Sequence, residues 1–302
     1  MSAAYRSREY AESFGEFGDP LRLARSEGWL IRRSIPGTAA SDAMGCDPLF
    51  CCADWSALQC DLAQLDGELV AVSLVTDPFG DFEPDSLREA FPDLMAPFKQ
   101  HHVVDLTVAD GSTVRKQHRY YARRALRSVD VELVDSPTAY VDEWTALYSV
   151  LADRHGLTGI KAFSRSAFEH QLSAPGAALL VAREGNDVVG AHIWFRDGDI
   201  VYSHLAATSA RGYDLSASYA LYWSAIERFR GEARWLDLGA GAGAESGSAS
   251  GLDAFKSGFA TGTRPVYLCG RIGDRPGYEE IVRAAGTAVR RYFPAYRAGE
   301  LG

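Results

Sequence analysis

Three short apolar segments, residues 178–183, 188–195 and 200–206, follow one another with only Gly185-Asn186 and Asp197-Gly198 marking the joins. Each is short for a stable helix and rich in the branched and aromatic side chains that suit a pleated surface. Gly, Asn and Asp tolerate the positive φ of a tight hairpin turn, so the segments are expected to run antiparallel as a meander. Just beyond them, Tyr219, Tyr222, Trp223, Ile226 and Phe229 recur at helical spacing and predict a helix returning over the sheet. A chain containing this block is neither all-helical nor a purely parallel doubly wound sheet.

Downstream, Trp235-Leu236-Asp237-Leu238 leads into Gly239, Gly241 and Gly243, and the glycine run ends in Asp253-Ala254-Phe255-Lys256-Ser257-Gly258-Phe259. Asp-x-Gly-x-Gly-x-Gly after a strand has the form of the nucleotide-binding turn of S-adenosylmethionine-dependent methyltransferases. Its context argues otherwise. Such a turn opens a helix, whereas residues 245–251 are poor helix formers. No acidic residue follows in 257–264, and too little chain remains for the further strand and helix units a doubly wound sheet needs. The run is therefore read as a loop between strands that brings Lys256 to a ligand, with the methyltransferase kept as an alternative.

The composition, 47% apolar and 24% charged over 302 residues, is enough for a sizeable core in one large or two ordinary domains. A formal net charge of -9 argues against a chain that coats nucleic acid, while leaving room for a local basic patch. Cys46, Cys51, Cys52, Cys60 and Cys269 are odd in number and lack zinc spacing, so reduced thiols and no metal are expected. No apolar run approaches the ~20 residues that span a bilayer, and residues 1–16 lack the apolar centre of a signal peptide. A soluble cytoplasmic protein without membrane insertion is the expectation.

In chain order, residues 1–27 read as a polar arm or short helix. Residues 28–111 alternate strands and helices: a strand at 29–31, an N-capped helix at 54–65, a buried strand at 69–75, a turn at 77–80 and a strand at 101–108. The segment 112–126 holds Arg115, Lys116, Arg119, Arg123 and Arg124, with Arg127 just beyond, a basic stretch in an acidic chain. It reads either as a solvated helix face or as a surface for phosphates of a cofactor or RNA. Then come a strand at 131–134, a helix opened by Ser136-Pro137, a second helix after Ser164, the meander, its helix, a strand at 234–238, a short helix around Lys256, a strand at 265–269 and a helix at 278–292.

That order resembles the GNAT acyltransferase fold, and three stretches resemble its Fem-type (FemA/FemB-like) branch, in which two GNAT-like halves share one chain. They are Arg123-Arg124-Ala125-Leu126 before a strand, residues 202–229 as the strand and helix that bind the acyl donor, and Leu236-Asp237-Leu238-Gly239 followed by the Phe255-Lys256 signature. The resemblance covers roughly 160 residues and implies an α/β fold with a largely antiparallel sheet flanked by helices. It implies an N-terminal arm (1–27), a degenerate GNAT-like half (28–111) and an acyltransferase half (112–302). The activity implied is N-acyl transfer from acyl-CoA or acetyl-CoA, or another thioester, to a small-molecule or peptide amine. The alternative is an aminoacyl-tRNA-dependent transferase with tRNA held by 115–127. A non-catalytic binding protein of the same fold is a further alternative.

Acyl transfer needs a deprotonated nucleophile, stabilisation of the tetrahedral oxyanion and a grip on the donor. The resemblance places Lys256 and Phe255 at the donor site. His204, in mid-strand, and Asp237, at a strand end, are the candidate bases. Arg211, Gly212, Tyr213 and Ser216 form a reduced version of the superfamily's Gln/Arg-x-x-Gly-x-Gly/Ala turn ahead of a helix N-terminus, where unpaired N–H groups favour anions. His101, His102 and Tyr213 are candidates to line a cleft.

Overall fold

The computed structural model describes residues 3–241, 251–286 and 292–298. Its elements in chain order are α1 (Arg8–Glu12), β1 (Asp19–Arg22), β2 (Trp29–Ser34), β3 (Ser41–Gly45), α2 (Leu58–Ala63), β4 (Ala71–Val75), α3 (Pro84–Ala90) and β5 (Leu94–Asp105). There follow α4 (Lys116–Ala125), β6 (Asp130–Leu133), α5 (Val141–His155), α6 (Arg165–Ser173), β7 (Ala177–Glu184), β8 (Asp187–Asp197) and β9 (Ile200–Thr208). The chain continues through α7 (Ala210–Asp214), α8 (Ala217–Phe229), β10 (Trp235–Gly239), α9 (Gly251–Ser257), β11 (Gly262–Ile272) and α10 (Arg275–Ala285).

Two compact units share these elements. One is built on Gln100–Arg264 and the other on Tyr5–Lys99 with Pro265–Gly302. The sequence expectation sets boundaries at 27/28 and at 111/112. The compact units divide it within β5 and again within β11, because the C-terminal part of β11 pairs with β4.

In the first unit the strand order is β5, β10, β9, β8, β7, β6. The expected meander is present: β7 to β8 and β8 to β9 are antiparallel hairpins turning at Gly185 and Gly198, both with φ near +60°. β10 joins β9 in parallel and β5 antiparallel. Helices α4 and α8 cover one face, where Val104, Leu106, Trp194, Val201, Leu221, Ile226, Leu236 and Phe259 form the core. On the other face α5 and α6 pack Trp144, Tyr148 and Phe168 together. Ser164 caps α6 as its sequence position suggests, accepting from the Ala167 N–H at 3.1 Å.

The second unit pairs β1, β2 and β3 antiparallel, then β3 with β4 in parallel, and β4 with β11 antiparallel. Its N-terminal stretch is no loose arm. Tyr10 and Phe14 are fully buried with edge-on rings 5.4 Å apart, one helical turn from each other, and Ser7 caps α1. Charged neighbours hide these apolar positions in the sequence. At its other end Asp42, fully buried, accepts from Arg297 at 2.5 and 3.0 Å and from the Tyr296 hydroxyl at 3.0 Å. Among the described residues no helix is long and apolar enough to cross a membrane, and no cluster of His, Cys, Asp or Glu is arranged to hold a metal.

Candidate active site

The site lies in the first unit, where β9 and β10 part. Among the described residues the two strands pair only at Ile200, Val201 and Tyr202, opposite Trp235, Leu236 and Asp237. From Ser203 on, β9 keeps β8 as its partner, and among the described residues its ladder with β10 ends. A fork between parallel strands leaves main-chain groups of both edges available to a ligand. At the fork β9 carries an extra residue: Ile193 pairs with Leu205 and Trp194 with Ser203, leaving His204 as a bulge. Bulges bend a strand and re-aim its side chains.

Alternation sorts the site residues between the two faces of the sheet. Leu236 and Leu238 belong to the core beneath α8, so Asp237 between them faces the opposite way. Asp237 is buried and accepts from the Gly239 N–H at 2.8 Å, with His101 Nδ1 at 2.8 Å from its other oxygen. His204, on that face too, stacks on Phe195 with centroids 4.3 Å apart and has Nε2 3.3 Å from Gln171 Oε1. Burial pushes its imidazole down to about 3, leaving it neutral at physiological pH. That environment makes it a poor acceptor of an amine proton.

Lys256 lies in the last turn of α9, next to Phe255, which packs on α8. Its ammonium donates to the Ala240 carbonyl at 2.8 Å. It also passes so close to Gly239, at φ +75°, that a Cβ there would sit 3.0 Å from Nζ. Glycine at 239 is thus favoured by the backbone angle, while the lysine's end could shift to make room for a Cβ. Phe255 packs among Tyr219, Tyr222 and Phe259 at centroid distances of 4.9, 4.9 and 5.3 Å. His102 Nε2 lies 2.8 Å from Asp253 Oδ1, tying β5 to α9. Lys256 is therefore brought to the fork, while His204 and Asp237, grouped with it by sequence reasoning, occupy the other face.

The turn ahead of α8 is engaged internally. Ser209 caps the helical turn α7 by accepting from the Gly212 N–H at 3.1 Å, and the Tyr213 N–H donates to the Ser209 carbonyl at 3.0 Å. Arg211 forms a two-pronged ion pair with Glu184, its Nε at 2.7 Å. Gly212 is glycine because a Cβ would lie 2.1 Å from the Val189 carbonyl oxygen, a packing reason. The Arg154 guanidinium lies 4.1 Å from the centre of the exposed Tyr213 ring. Ser216 takes the left-handed conformation at φ +61° between α7 and α8 and caps nothing with its side chain.

Helix α4 presents two opposed stripes. His118, Ala122, Ala125 and Val129 are buried, whereas Lys116, Tyr120, Arg123 and Arg127, at the same 4-3-4 spacing, are exposed. Elsewhere arginines meet carboxylates, as in Arg165 with Asp142, Arg183 with Glu132 and Arg271 with Asp66. Among the described residues Lys116, Arg123, Arg124 and Arg127 have no such partner.

Residues 112–256, which hold the fork, the antiparallel meander and the helix returning from its last strand, match the family described as an acetyltransferase (GNAT) domain. No curated protein matches the chain in sequence. Among solved structures it is similar to FemX, with a TM-score of 0.66 and 14% identity over 91% of this chain and 93% of the other. It is also similar to the C-terminal domain of a putative lysylphosphatidylglycerol synthetase from Agrobacterium fabrum, with a TM-score of 0.63 and 16% identity over 95% and 92%. A third is L-PGS from Bacillus licheniformis, with a TM-score of 0.55 and 14% identity over 91% and 94%. Residues 112–256 thus match a GNAT domain, and the chain shares its fold with FemX and the lysylphosphatidylglycerol synthetase domain.

Sequence reasoning assigns Ser203 and His192 no site role, Tyr222 only a place on a helix, and His101 and His102 only a place lining a cleft. The adjacent histidines in a strand were visible, but their carboxylate partners lie 136 and 151 residues away.

Proposed function

We propose that the chain is an N-acyltransferase moving an acyl group to an amine acceptor at the fork, and that its donor is an aminoacyl ester carried on RNA. The observation that carries this reading is the turn ahead of α8. A coenzyme A diphosphate needs free amides and a cation there, yet the Gly212 and Tyr213 amides are bonded internally and Arg211 is paired with Glu184. The unpaired basic stripe of α4, interrupted by the exposed Tyr120 ring, has the form of a surface for an RNA backbone and an unstacked base. A lysylphosphatidylglycerol synthetase, by its name, makes an aminoacyl product, in keeping with this reading.

Acyl-CoA as donor is the second reading, favoured by the match of residues 112–256 to an acetyltransferase domain. Incubating the purified protein with radiolabelled aminoacyl-tRNA or radiolabelled acetyl-CoA and a panel of amines separates them. Label transfer from the tRNA pool supports the proposal. Transfer from acetyl-CoA alone overturns the donor assignment while keeping the acyltransferase.

A further inference from the structure

Beneath α8 lies a polar cluster that no role yet covers. Ser203 is the first residue of β9 beyond its pairing with β10, so it sits at the mouth of the fork. Its Oγ is 2.8 Å from His192 Nε2 and 3.5 Å from the Tyr222 hydroxyl. His192 is fully buried, its ring 4.1 Å from that of Trp194 and 4.7 Å from that of Tyr222. Its second nitrogen, Nδ1, has no hydrogen-bond partner.

The orphaned nitrogen settles the direction of the hydrogen bonds. A neutral imidazole carries one N–H. Were it on Nδ1, a buried donor would go unsatisfied, the costlier case; on Nε2 it donates to Ser203 and leaves only a lone pair unpaired. Ser203 then has a lone pair occupied by His192, and its own hydrogen has only the long 3.5 Å contact with the Tyr222 hydroxyl to leave in turning toward the fork. Burial, followed by the charge of Lys256 and by His204, holds His192 well below its ordinary pKa, in keeping with a neutral ring. Burial likewise pushes Tyr222 up to about 12, so its hydroxyl stays protonated.

We infer that Ser203 is a catalytic hydrogen-bond donor to the oxyanion formed at the fork, that Tyr222 is its companion hydroxyl, and that His192 is a positioning residue that orients Ser203. The inference rests on the acyl-transfer reading. In the step it serves, the amine nitrogen attacks the carbonyl carbon, a C–N bond forms, and the C=O electron pair moves onto oxygen, where the Ser203 O–H donates to it. Collapse restores the C=O bond and breaks the bond to the donor's leaving oxygen, or sulfur for a thioester. The leaving atom takes up the proton that the amine nitrogen loses. A donor built in before the charge develops costs no reorganisation during the reaction, and loss of one such donor lowers kcat by about 100- to 1,000-fold.

Two measurements on the full chain test this. Nitrogen-15 spectra of the imidazole rings, with His192 assigned by its loss in His192→Gln, should show a neutral ring protonated on Nε2 from pH 5 to 8. An Nδ1-protonated ring, or titration to imidazolium in that range, overturns the assignment without reference to any substrate. Turnover is then followed with aminoacyl-tRNA and with acetyl-CoA. Ser203→Ala should lower kcat about 100-fold with the donor KM within about threefold of wild type, and Ser203→Thr should recover most of the loss. Folding is checked by circular dichroism. Wild-type turnover matched by Ser203→Ala overturns this inference alone; no turnover of either donor by the wild type overturns the acyl-transfer reading and this role with it.

Discussion

Asp237 is the buried carboxylate whose removal says most about how the fork is held. It accepts two hydrogen bonds of 2.8 Å, one from the Gly239 amide and one in the pair with His101. Hydrogen bonds to a charged group contribute about 1.5–3 kcal/mol each, and a donor left buried without a partner costs its full desolvation. Asp237→Ala strands both donors, so a loss of about 3–5 kcal/mol is expected. Asp237→Asn keeps a carbonyl for Gly239 and sets an amide against His101, which then has to present a lone pair at Nδ1. That variant is expected to lose about 1.5–3 kcal/mol. Urea unfolding at pH 7.5, read as the midpoint shift multiplied by m, measures both. An Asp237→Ala variant within about 1 kcal/mol of wild type would refute the reasoning, since the two donors would then be finding water. Equal losses in the two variants would show that the Gly239 bond contributes nothing.

Other outcomes follow from the same geometry. His204 is buried and its pKa falls from an unfolded value near 6.5 to about 3, so protonation favours the unfolded chain. Its penalty is absent above pH ~6.5 and grows by up to ~1.4 kcal/mol per pH unit as pH falls toward 3; His204→Gln should flatten that part of the stability curve, and an unchanged slope between pH 6.5 and 5 would count against a neutral His204. Gly212→Ala places a methyl against the Val189 carbonyl and should cost about 1–3 kcal/mol in thermal or urea unfolding; a neutral effect would mean that α7 shifts freely. The pair Arg123→Glu and Arg127→Glu should weaken tRNA binding at least 10-fold and lessen its salt dependence, measured by fluorescence anisotropy at several salt concentrations. Unchanged affinity would move the RNA surface elsewhere. Lys256→Met removes the bond to Ala240 and should lower transfer at least 10-fold with the fold intact; full activity would make the lysine structural.

What could be read from the sequence is what local physics decides. The meander follows from alternating apolar residues and glycine turns, α8 from its helical spacing, the α6 cap from Ser164, and the basic segment from charge alone. The element order carried the resemblance to the GNAT fold, and the structure has that fold. Tertiary structure decided the rest, because facing and partnership depend on strand neighbours distant in sequence. Tyr10 and Phe14 look like arm residues until a core forms around them. Arg211 looks free for an anion until Glu184, 27 residues earlier, takes it. Sequence reasoning groups Lys256, His204 and Asp237 as site residues, yet strand alternation turns Asp237 from the α8 face, His204 stacks on Phe195 beside Gln171, and α9 brings Lys256 to Ala240. The bulge at His204 and the parting of β9 from β10 are matters of register, set by side chains packing on both sides of the sheet. Only there do Ser203, His192 and Tyr222 meet, since their spacing along the chain has no period to betray it.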